Sequence, residues 1–287
     1  MAYLSEEKIK KLKIKANDIR QSIIEMLVEA GSGHTAGSLG MADIFTLFYF
    51  HILKHDPQNP FWEDRDRLIL SNGHICPVLY ATMAHAGYLP IEELKTLRKL
   101  GTRLQGHPHR EYFPFVENSS GPLGEGLSQA VGMALADKID GKDGSASLTT
   151  SRFIYCFMSD GELDEGNTWE GIMLAGKHRL KNLIAIVDRN NIQIDGFTEN
   201  IMPLEPVADK WKAFNWHVLE VSGHDFRALN EAVEEAQTFG VPTVIIAHTT
   251  AGKGIKEWEN DYKWHGKAPT KEEGKIALKE LKKNRPK

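Results

Sequence analysis

Apolar residues recur in short runs that alternate with helical spacings along most of the chain. Between Arg152 and Gly196, two apolar runs at residues 153–158 and 183–187 each stop on an acidic residue and enclose a helical pattern. This order predicts a strand, a helix and a second strand, and a βαβ unit, typically about 30 residues or more, has parallel strands. The polar residues that follow the two strands should therefore meet at one edge of a sheet, where open α/β sheets bind ligands.

The rest of the chain continues this alternation and predicts an α/β fold. Ser5 is a predicted N-cap for a helix whose apolar residues recur every three or four positions and which ends near Gly31. Thr270 and Glu273 form a predicted capping box for a final helix that ends near Leu281. Further strands are predicted at residues 68–70, 218–221 and 244–247, and further helices at residues 77–87, 91–100, 128–136 and 226–237.

Two polar clusters follow the strands of the βαβ unit, at residues 159–162 and 188–191. A carboxylate, a carboxamide and a few backbone carbonyls together form a hard oxygen site that suits Mg²⁺ or Ca²⁺. Gly161 lets the backbone approach a phosphate, and a helix from about Gly166 directs its N-terminal dipole to the same region. Each cluster alone is more typical of a turn. At βαβ spacing, the two together favour a metal-bridged diphosphate site.

Asp160-Gly161 is followed 30 residues later by Asn190. This spacing resembles the cofactor motif of thiamine-diphosphate enzymes, and the surrounding sequence resembles transketolase. The resemblance implies that Asp160, Asn190 and the backbone carbonyl of Ile192 hold the metal, and that Gly161 lies against the cofactor. Ser159 stands where the family usually has the first glycine of Gly-Asp-Gly.

Two Gly-His segments in the first third of the chain add candidate ligands. A glycine-rich bend around His34 allows close backbone approach to a ligand, although a plain interhelical turn also uses glycine. His74 follows a predicted strand, where it can donate to a phosphate or cap the next helix. Both segments resemble transketolase, which implies that His34 faces the substrate and His74 contacts the diphosphate. Thr35 replaces the proline of the family.

Three later segments match the same family. A Gly-His-Pro turn implies that His107 contacts substrate, and a Gly-Pro-Leu-Gly loop implies that the backbone of Gly121 and Leu123 lies along the cofactor. A terminal His-Gly places His265 near both diphosphate and substrate. The negative charge of Glu165 could simply interact favourably with the N-terminal dipole of the following helix. The resemblance instead implies that this carboxylate meets the cofactor-activating glutamate across a subunit interface.

Composition excludes several classes of protein. The 287 residues are 41% hydrophobic and 26% charged, and the net charge of −4 provides no electrostatic footprint for nucleic acid. The two cysteines form no disulfide framework. The longest apolar-rich run, residues 44–53, is shorter than the roughly 20 residues of a membrane span. We predict a cytoplasmic protein that binds neither nucleic acid nor membrane, with an exposed loop at residues 140–151.

The resemblance covers nearly the whole chain, yet corresponds only to the amino-terminal domain of an ordinary transketolase. It implies one domain over residues 1–287, a three-layer α/β fold with a mostly parallel sheet, helices on both faces and a C-terminal helix. The pyrimidine and carboxy-terminal domains, with the activating glutamate, are absent from the 287 residues. Our hypothesis is a split transketolase in which a second polypeptide carries the pyrimidine domain, with two copies of each chain in a heterotetramer.

The implied reaction is transfer of a two-carbon ketol group from a ketose phosphate to an aldose phosphate, dependent on thiamine diphosphate and Mg²⁺, with Ca²⁺ as a substitute. His34, His107 and His265 are the candidates for proton transfer, because the ordinary histidine pKa lies near neutrality. Two alternatives remain. The chain could be part of another thiamine-diphosphate enzyme, such as a deoxyxylulose-phosphate synthase or the alpha chain of a 2-oxo-acid dehydrogenase, or a noncatalytic regulatory or binding module of the same fold.

Overall fold

In the computed structural model, which describes residues 4–144 and 152–286, five parallel strands form a central sheet. Residues 145–151 of the predicted loop lie outside the described residues. The strands are β1 (Arg67–Leu70), β2 (Ile154–Ser159), β3 (Leu183–Arg189), β6 (His217–Ser222) and β7 (Thr243–His248). Their order across the sheet is β1-β2-β3-β7-β6. The predicted βαβ unit supplies the adjacent pair β2 and β3.

Helices connect the strands, and a separate antiparallel hairpin follows β3. The hairpin consists of β4 (Ile192–Gln193) and β5 (Gly196–Phe197). The helices are α1 (Glu6–Ala30), α2 (Ala36–Gly40), α3 (Ala42–Leu47), α4 (Cys76–His85), α5 (Glu125–Ile139), α6 (Gly166–His178), α7 (Thr198–Ile201), α8 (Val207–Ala213), α9 (Phe226–Thr238) and α10 (Lys271–Lys283). No helix within the described residues combines the length and the apolar character needed to cross a membrane.

Both faces of the sheet are buried, as expected for parallel strands covered by helices. Along β2, Tyr155 and Phe157 pack into one core with α1, α3, α4, α9 and α10. Cys156 and Met158 point to the opposite face and pack with α5, α6 and α8. The three-layer α/β fold with helices on both faces is therefore confirmed.

The predicted helix ends are also confirmed. The hydroxyl of Ser5 accepts a hydrogen bond from the backbone N–H of Lys8, and Gly31 ends α1 in the left-handed region at φ 66°. Thr270 and Glu273 form the capping box that begins α10. Hydrogen bonds between residues close in the sequence determine these ends, so the local sequence predicts them.

The predicted helix at residues 91–100 is wrong. A 3-10 helix covers only Ile91–Thr96, and the backbone N–H of Arg98 then donates to the carbonyl of Leu104, closing a loop. Leu94 and Leu97 are buried without a continuing α-helix. β3 also runs two residues beyond its predicted end, so Asp188 and Arg189 belong to a fully buried strand.

The close contact between α6 and the end of α8 requires glycine at position 176. A Cβ atom at Gly176 would lie 1.9 Å from the carbonyl oxygen of Phe214. We expect Gly176→Ala to lower the free energy of unfolding by about 1–3 kcal/mol, because the backbone must move. Urea denaturation followed by tryptophan fluorescence measures this change.

The matched control is Gly132→Ala in α5, where an added Cβ meets nothing within 4 Å. We expect this variant to be neutral or up to about 1 kcal/mol more stable, because alanine favours the helix. Equal destabilisation of the two variants would contradict the packing explanation.

Candidate functional site

The carboxyl ends of the central strands lie level and carry polar residues. Ser159 at the end of β2 pairs in register with Asp188 of β3. Asp160 follows β2 directly, and the backbone N–H of Asn191, just beyond β3, donates to its Oδ2 atom at 2.7 Å. The two polar clusters therefore meet at one edge of the sheet, as the βαβ spacing predicts.

A cavity of about 280 Å³ opens at this edge. Seven of the predicted site residues line it: His34, His74, Gly121, Leu123, Gly161, Ile192 and His265. Ser159, Gln193 and Ile194 complete its wall. Tertiary structure thus gathers residues from several distant segments of the chain around one space.

Three imidazole rings face one another in this cavity. The ring centroids of His34 and His74 are 4.9 Å apart, those of His74 and His265 are 5.2 Å apart, and those of His34 and His265 are 5.7 Å apart. The Nδ1 atoms of His34 and His265 are buried and have no hydrogen-bond partner among the described residues. Because buried polar atoms normally have partners, these two atoms indicate a place for a bound ligand or water.

The environment keeps these histidines neutral. Burial lowers the pKa of His34 to about 4, and the nearby basic groups His265, Arg98 and His107 add to this effect by disfavouring a second positive charge. Burial also lowers the pKa of His74 well below its ordinary value, and lowers that of His265. At neutral pH each neutral ring offers one N–H donor and one nitrogen acceptor.

The predicted metal ligands lie buried at the same strand ends. The Oδ1 atom of Asp160 accepts a hydrogen bond from the backbone N–H of Gly161 at 2.8 Å, and Oδ2 accepts from Arg189 at 3.0 Å. Burial raises the pKa of Asp160 to about 6. The amide oxygen of Asn190 accepts from the backbone N–H of Ile192 at 3.0 Å.

Asn190 is oriented by a second buried carboxylate. Its Nδ2 atom donates to Oδ2 of Asp188 at 2.8 Å, which turns the amide oxygen the other way. The Oδ1 atom of Asp160 and the amide oxygen of Asn190 each accept one hydrogen bond, so each keeps a lone pair for a cation. No group of three or more His, Cys, Asp or Glu side chains within the described residues could hold a metal. The predicted set contains only one such side chain.

Besides the buried Asp160 and Asn190, two predicted site residues do not line the cavity. His107 is exposed, and its Cγ atom lies 3.9 Å from the position that a Cβ atom would take at Gly121, so it sits beside the cavity rim. Glu165 is exposed at the N-cap position of α6, and its side chain makes no capping hydrogen bond. Both residues are exposed on the surface of the chain.

Three further buried polar residues lie in this region and were not predicted from the sequence. Glu162 accepts hydrogen bonds from the hydroxyl of Ser71 and from the backbone N–H groups of Gly124 at 2.7 Å and Ser159 at 3.3 Å. Arg189 pairs with Asp160, and Asn72 is fully buried with neither side-chain polar atom hydrogen-bonded among the described residues. Glu162 and Arg189 each lie close to a predicted ligand in the sequence, but Ser71, Gly124 and Asp160, with which they pair, are 29 or more residues away.

A larger cavity of about 480 Å³ lies elsewhere, between Leu163, Trp169, Met202, Leu204 and Phe214. It contains none of the predicted site residues. We assign the site to the smaller cavity. Three imidazoles that can bind or transfer protons converge there, and glycines in its wall allow a polar ligand to approach the backbone.

Comparisons with known proteins show the family to which the chain is related. The family described as "Transketolase, thiamine diphosphate binding domain" matches residues 11–284. The chain is 43% identical over 281 residues to "6-deoxy-6-sulfo-D-fructose transketolase subunit SqwG" of Clostridium sp. (strain MSTE9), covering 98% of this chain and 99% of that protein. It is 40% identical over 272 residues to an apulose-4-phosphate transketolase subunit from Actinobacillus succinogenes, covering 94% and 96%.

Solved structures of transketolases share the fold of this chain. The chain superposes on transketolase from Leishmania mexicana with a TM-score of 0.89 at 35% identity. The match covers 100% of this chain but 42% of that protein. The chain thus spans less than half of the solved transketolase and nearly all of the two subunits.

Glu162 should contribute strongly to stability. We expect Glu162→Ala to lower the free energy of unfolding by about 2–4 kcal/mol, because it leaves the buried N–H of Gly124 and the hydroxyl of Ser71 without their acceptor. Chemical denaturation measures the loss. Glu162→Gln retains one oxygen acceptor and should lose less; an equal loss in both variants would argue against these hydrogen bonds as the cause.

His34 should make stability depend on pH. Its pKa is about 4 in the folded chain against an ordinary 6.5, so between these values the unfolded chain binds a proton that the folded chain does not. Stability therefore falls as pH decreases through this window. We expect His34→Gln to lose less stability than the parent chain between pH 7 and about pH 4.5, measured by urea denaturation. Parallel losses would contradict the assignment.

Proposed function

This chain belongs to the transketolase family, matching its thiamine-diphosphate-binding domain, and on that premise we propose that it is the amino-terminal subunit of a split transketolase. The proposed reaction is transfer of a two-carbon ketol group from a ketose phosphate to an aldose phosphate, dependent on thiamine diphosphate and Mg²⁺. Residues 1–287 supply one domain of the diphosphate-binding type. A second polypeptide supplies the pyrimidine domain.

The observation that carries this proposal is the convergence of His34, His74 and His265 on the cavity at the carboxyl edge of the sheet. We assign His74, Gly121, Leu123 and Gly161 to the cofactor because their atoms line that cavity. α6 begins at Gly166, close to the same strand end, so its N-terminal dipole favours a diphosphate there.

The donor set fits a metal-bridged diphosphate. Mg²⁺ would be held by Asp160, the amide oxygen of Asn190 and the carbonyl of Ile192, with Ca²⁺ as a substitute. These are hard oxygen ligands, and Mg²⁺ usually completes its shell with phosphate oxygens and water. The hydrogen bond from Asn190 to Asp188 supports this role, because it presents oxygen rather than nitrogen to the cation.

When bound, thiamine diphosphate supplies the carbanion chemistry. The residues of this chain orient the ligands, exclude water and move protons. His34 and His265 are neutral and have an unpartnered Nδ1 atom each among the described residues, so either ring can hold or give a proton at a carbonyl or hydroxyl oxygen of a bound sugar. His107 at the rim is suited to contact the part of the sugar that projects from the cavity.

The active site requires groups from another chain in this proposal. The activating glutamate of the cofactor comes from the partner, and the exposed Glu165 at the start of α6 is placed to meet it. Both relatives named above are called transketolase subunits, which supports a partnered enzyme. We propose a heterotetramer with two copies of each chain and two active sites at their interfaces.

Selection of the sugar depends on both chains in this proposal. The two relatives are named for 6-deoxy-6-sulfo-D-fructose and for apulose 4-phosphate, so close family members differ in their sugars. Because His107 and Glu165 face outward, residues of the partner complete the walls that select the sugar.

Complementation tests the need for a partner. We expect no ketol transfer from ketose phosphate by this chain alone, because no carboxylate side chain among the described residues lines the cavity to activate the cofactor. Activity should appear on addition of a polypeptide that carries the pyrimidine domain and should saturate at equal molar amounts. A coupled assay of aldose release measures both. Full activity of the isolated chain would rule out the split enzyme.

Cofactor binding tests the metal assignment. In the assembled enzyme, we expect Asp160→Asn to weaken Mg²⁺-dependent binding of thiamine diphosphate at least about tenfold, because a charged ligand is lost. Isothermal titration calorimetry with and without Mg²⁺ measures this. Circular dichroism is needed as well, because the substitution also removes the ion pair with Arg189.

Two further variants serve as controls. Asp209→Asn removes an exposed carboxylate on α8 that pairs only with Lys212 among the described residues, and should bind the cofactor normally. His107→Ala should keep the affinity for cofactor while turnover falls, because the side chain lies at the rim. Normal cofactor affinity in folded Asp160→Asn would overturn the metal assignment.

A further inference from the structure

One hydrogen bond joins residues 32–38, which carry His34, to residues 262–268, which carry His265. The hydroxyl of Thr35 is fully buried and donates to the backbone carbonyl of Lys267 at 2.5 Å. These residues are 232 positions apart in the chain, and each lies within two residues of one of the histidines. Among the described residues, no other hydrogen bond joins residues 32–38 to residues 262–268.

Ring packing and the backbone, rather than hydrogen bonds at Nδ1, hold the two rings in position. Neither Nδ1 atom has a hydrogen-bond partner among the described residues, so no bond at that atom holds either imidazole. The two segments approach closely, since a Cβ atom at Gly266 would lie 3.8 Å from Nε2 of His34. A shift between the segments would therefore change the distance between the rings directly.

The Lys267 side of the bond is anchored to the helical layer. The Nζ atom of Lys267 donates to Glu273 of α10 at 2.6 Å and lies 3.9 Å from the ring centroid of Trp264. α10 packs tightly on α1, where a Cβ at Gly274 would lie 2.4 Å from a methyl group of Val28. The side chain of Lys267 thus links the segment that carries this carbonyl to α10.

The His34 side is held from within its own segment and by the loop after β7. The hydroxyl of Ser38 donates to the carbonyl of His34 at 2.8 Å, and the backbone N–H of Gly252 donates to the carbonyl of Ala36 at 2.9 Å. These bonds fix the bend that carries His34 but do not reach residues 262–268. The Thr35 hydroxyl makes the connection, and the family's proline at this position has no hydroxyl to make it.

We propose that Thr35 is a positioning residue that sets the spacing of His34 and His265 through its hydrogen bond to Lys267. The role in turnover rests on the proposed function, because it assigns proton transfer to these two histidines. The mechanical role does not, since it concerns only how firmly the two segments are joined.

The first experiment measures the two segments without using activity. Thr35→Val keeps the shape of the side chain and removes the donor, whereas Thr35→Ser keeps the donor. By hydrogen–deuterium exchange on the isolated chain, we expect Thr35→Val to speed amide exchange in residues 262–268 about fivefold, as for loss of one hydrogen bond. Thr35→Ser should match the parent. Thr35→Ala provides a second donor-free variant if Thr35→Val does not fold.

The second experiment measures turnover in the assembled enzyme. We expect Thr35→Val to lower kcat about tenfold with little change in KM, because misplacement of reacting groups slows the reaction more than it weakens binding. Thr35→Ser should restore kcat to within about twofold of the parent. Thr82→Val is the matched control, because the hydroxyl of this buried threonine donates to Val78 within α4 and joins no separate loops.

Exchange confined to residues 262–268 and rescue by serine would together support the proposal. Unchanged exchange in Thr35→Val would overturn it, as would serine behaving like valine or exchange rising evenly along the whole chain. If the parent enzyme shows no ketol transfer with any partner, the proposed function fails, and the exchange experiment still decides the role of Thr35.

Discussion

The geometry of the site depends on the hydrogen bonds that the buried carboxylate of Glu162 accepts. This carboxylate accepts hydrogen bonds from the end of β1 through Ser71, from the glycine loop through Gly124 and from the end of β2 through Ser159. Burial raises its pKa to about 7, so taking this group out of water is costly and its hydrogen bonds must compensate. One side chain thereby holds three segments of the site in register.

The polar residues of the site fall into three groups that differ in burial and in charge. Asp160, Asp188 and Arg189 are buried at the ends of the strands, where burial raises the pKa of Asp160 to about 6 and that of Asp188 to about 7. Above them, half-buried histidines are held neutral. At the surface, His107 and Glu165 are exposed. This gradient suits a cation and diphosphate below, proton transfer between, and a partner chain outside.

The strands, most helices and the meeting of two polar clusters at one edge of the sheet were predictable from local patterns, whereas the roles of individual site residues were inferred from the family resemblance. Apolar runs that end on Asp160 and Asp188 specify parallel strands whose carboxyl ends converge, and glycine beside histidine marked segments that line the cavity. The helix at residues 91–100 was wrong because buried leucines at positions 94 and 97 do not distinguish an α-helix from a turn followed by a loop. Glu162 was missed because its partners Ser71 and Gly124 are far away in sequence.

The sequence by itself determined which segments become strands and helices, where α1 and α10 begin, and which polar residues stand at the ends of β2 and β3. These features depend on contacts within a few residues. Only the tertiary structure decided that His34, His74 and His265 share one cavity, that Glu162 joins Ser71 to Gly124, and that Thr35 reaches Lys267. These arrangements depend on hydrogen bonds and packing that the tertiary fold brings about, which no local pattern of residues contains.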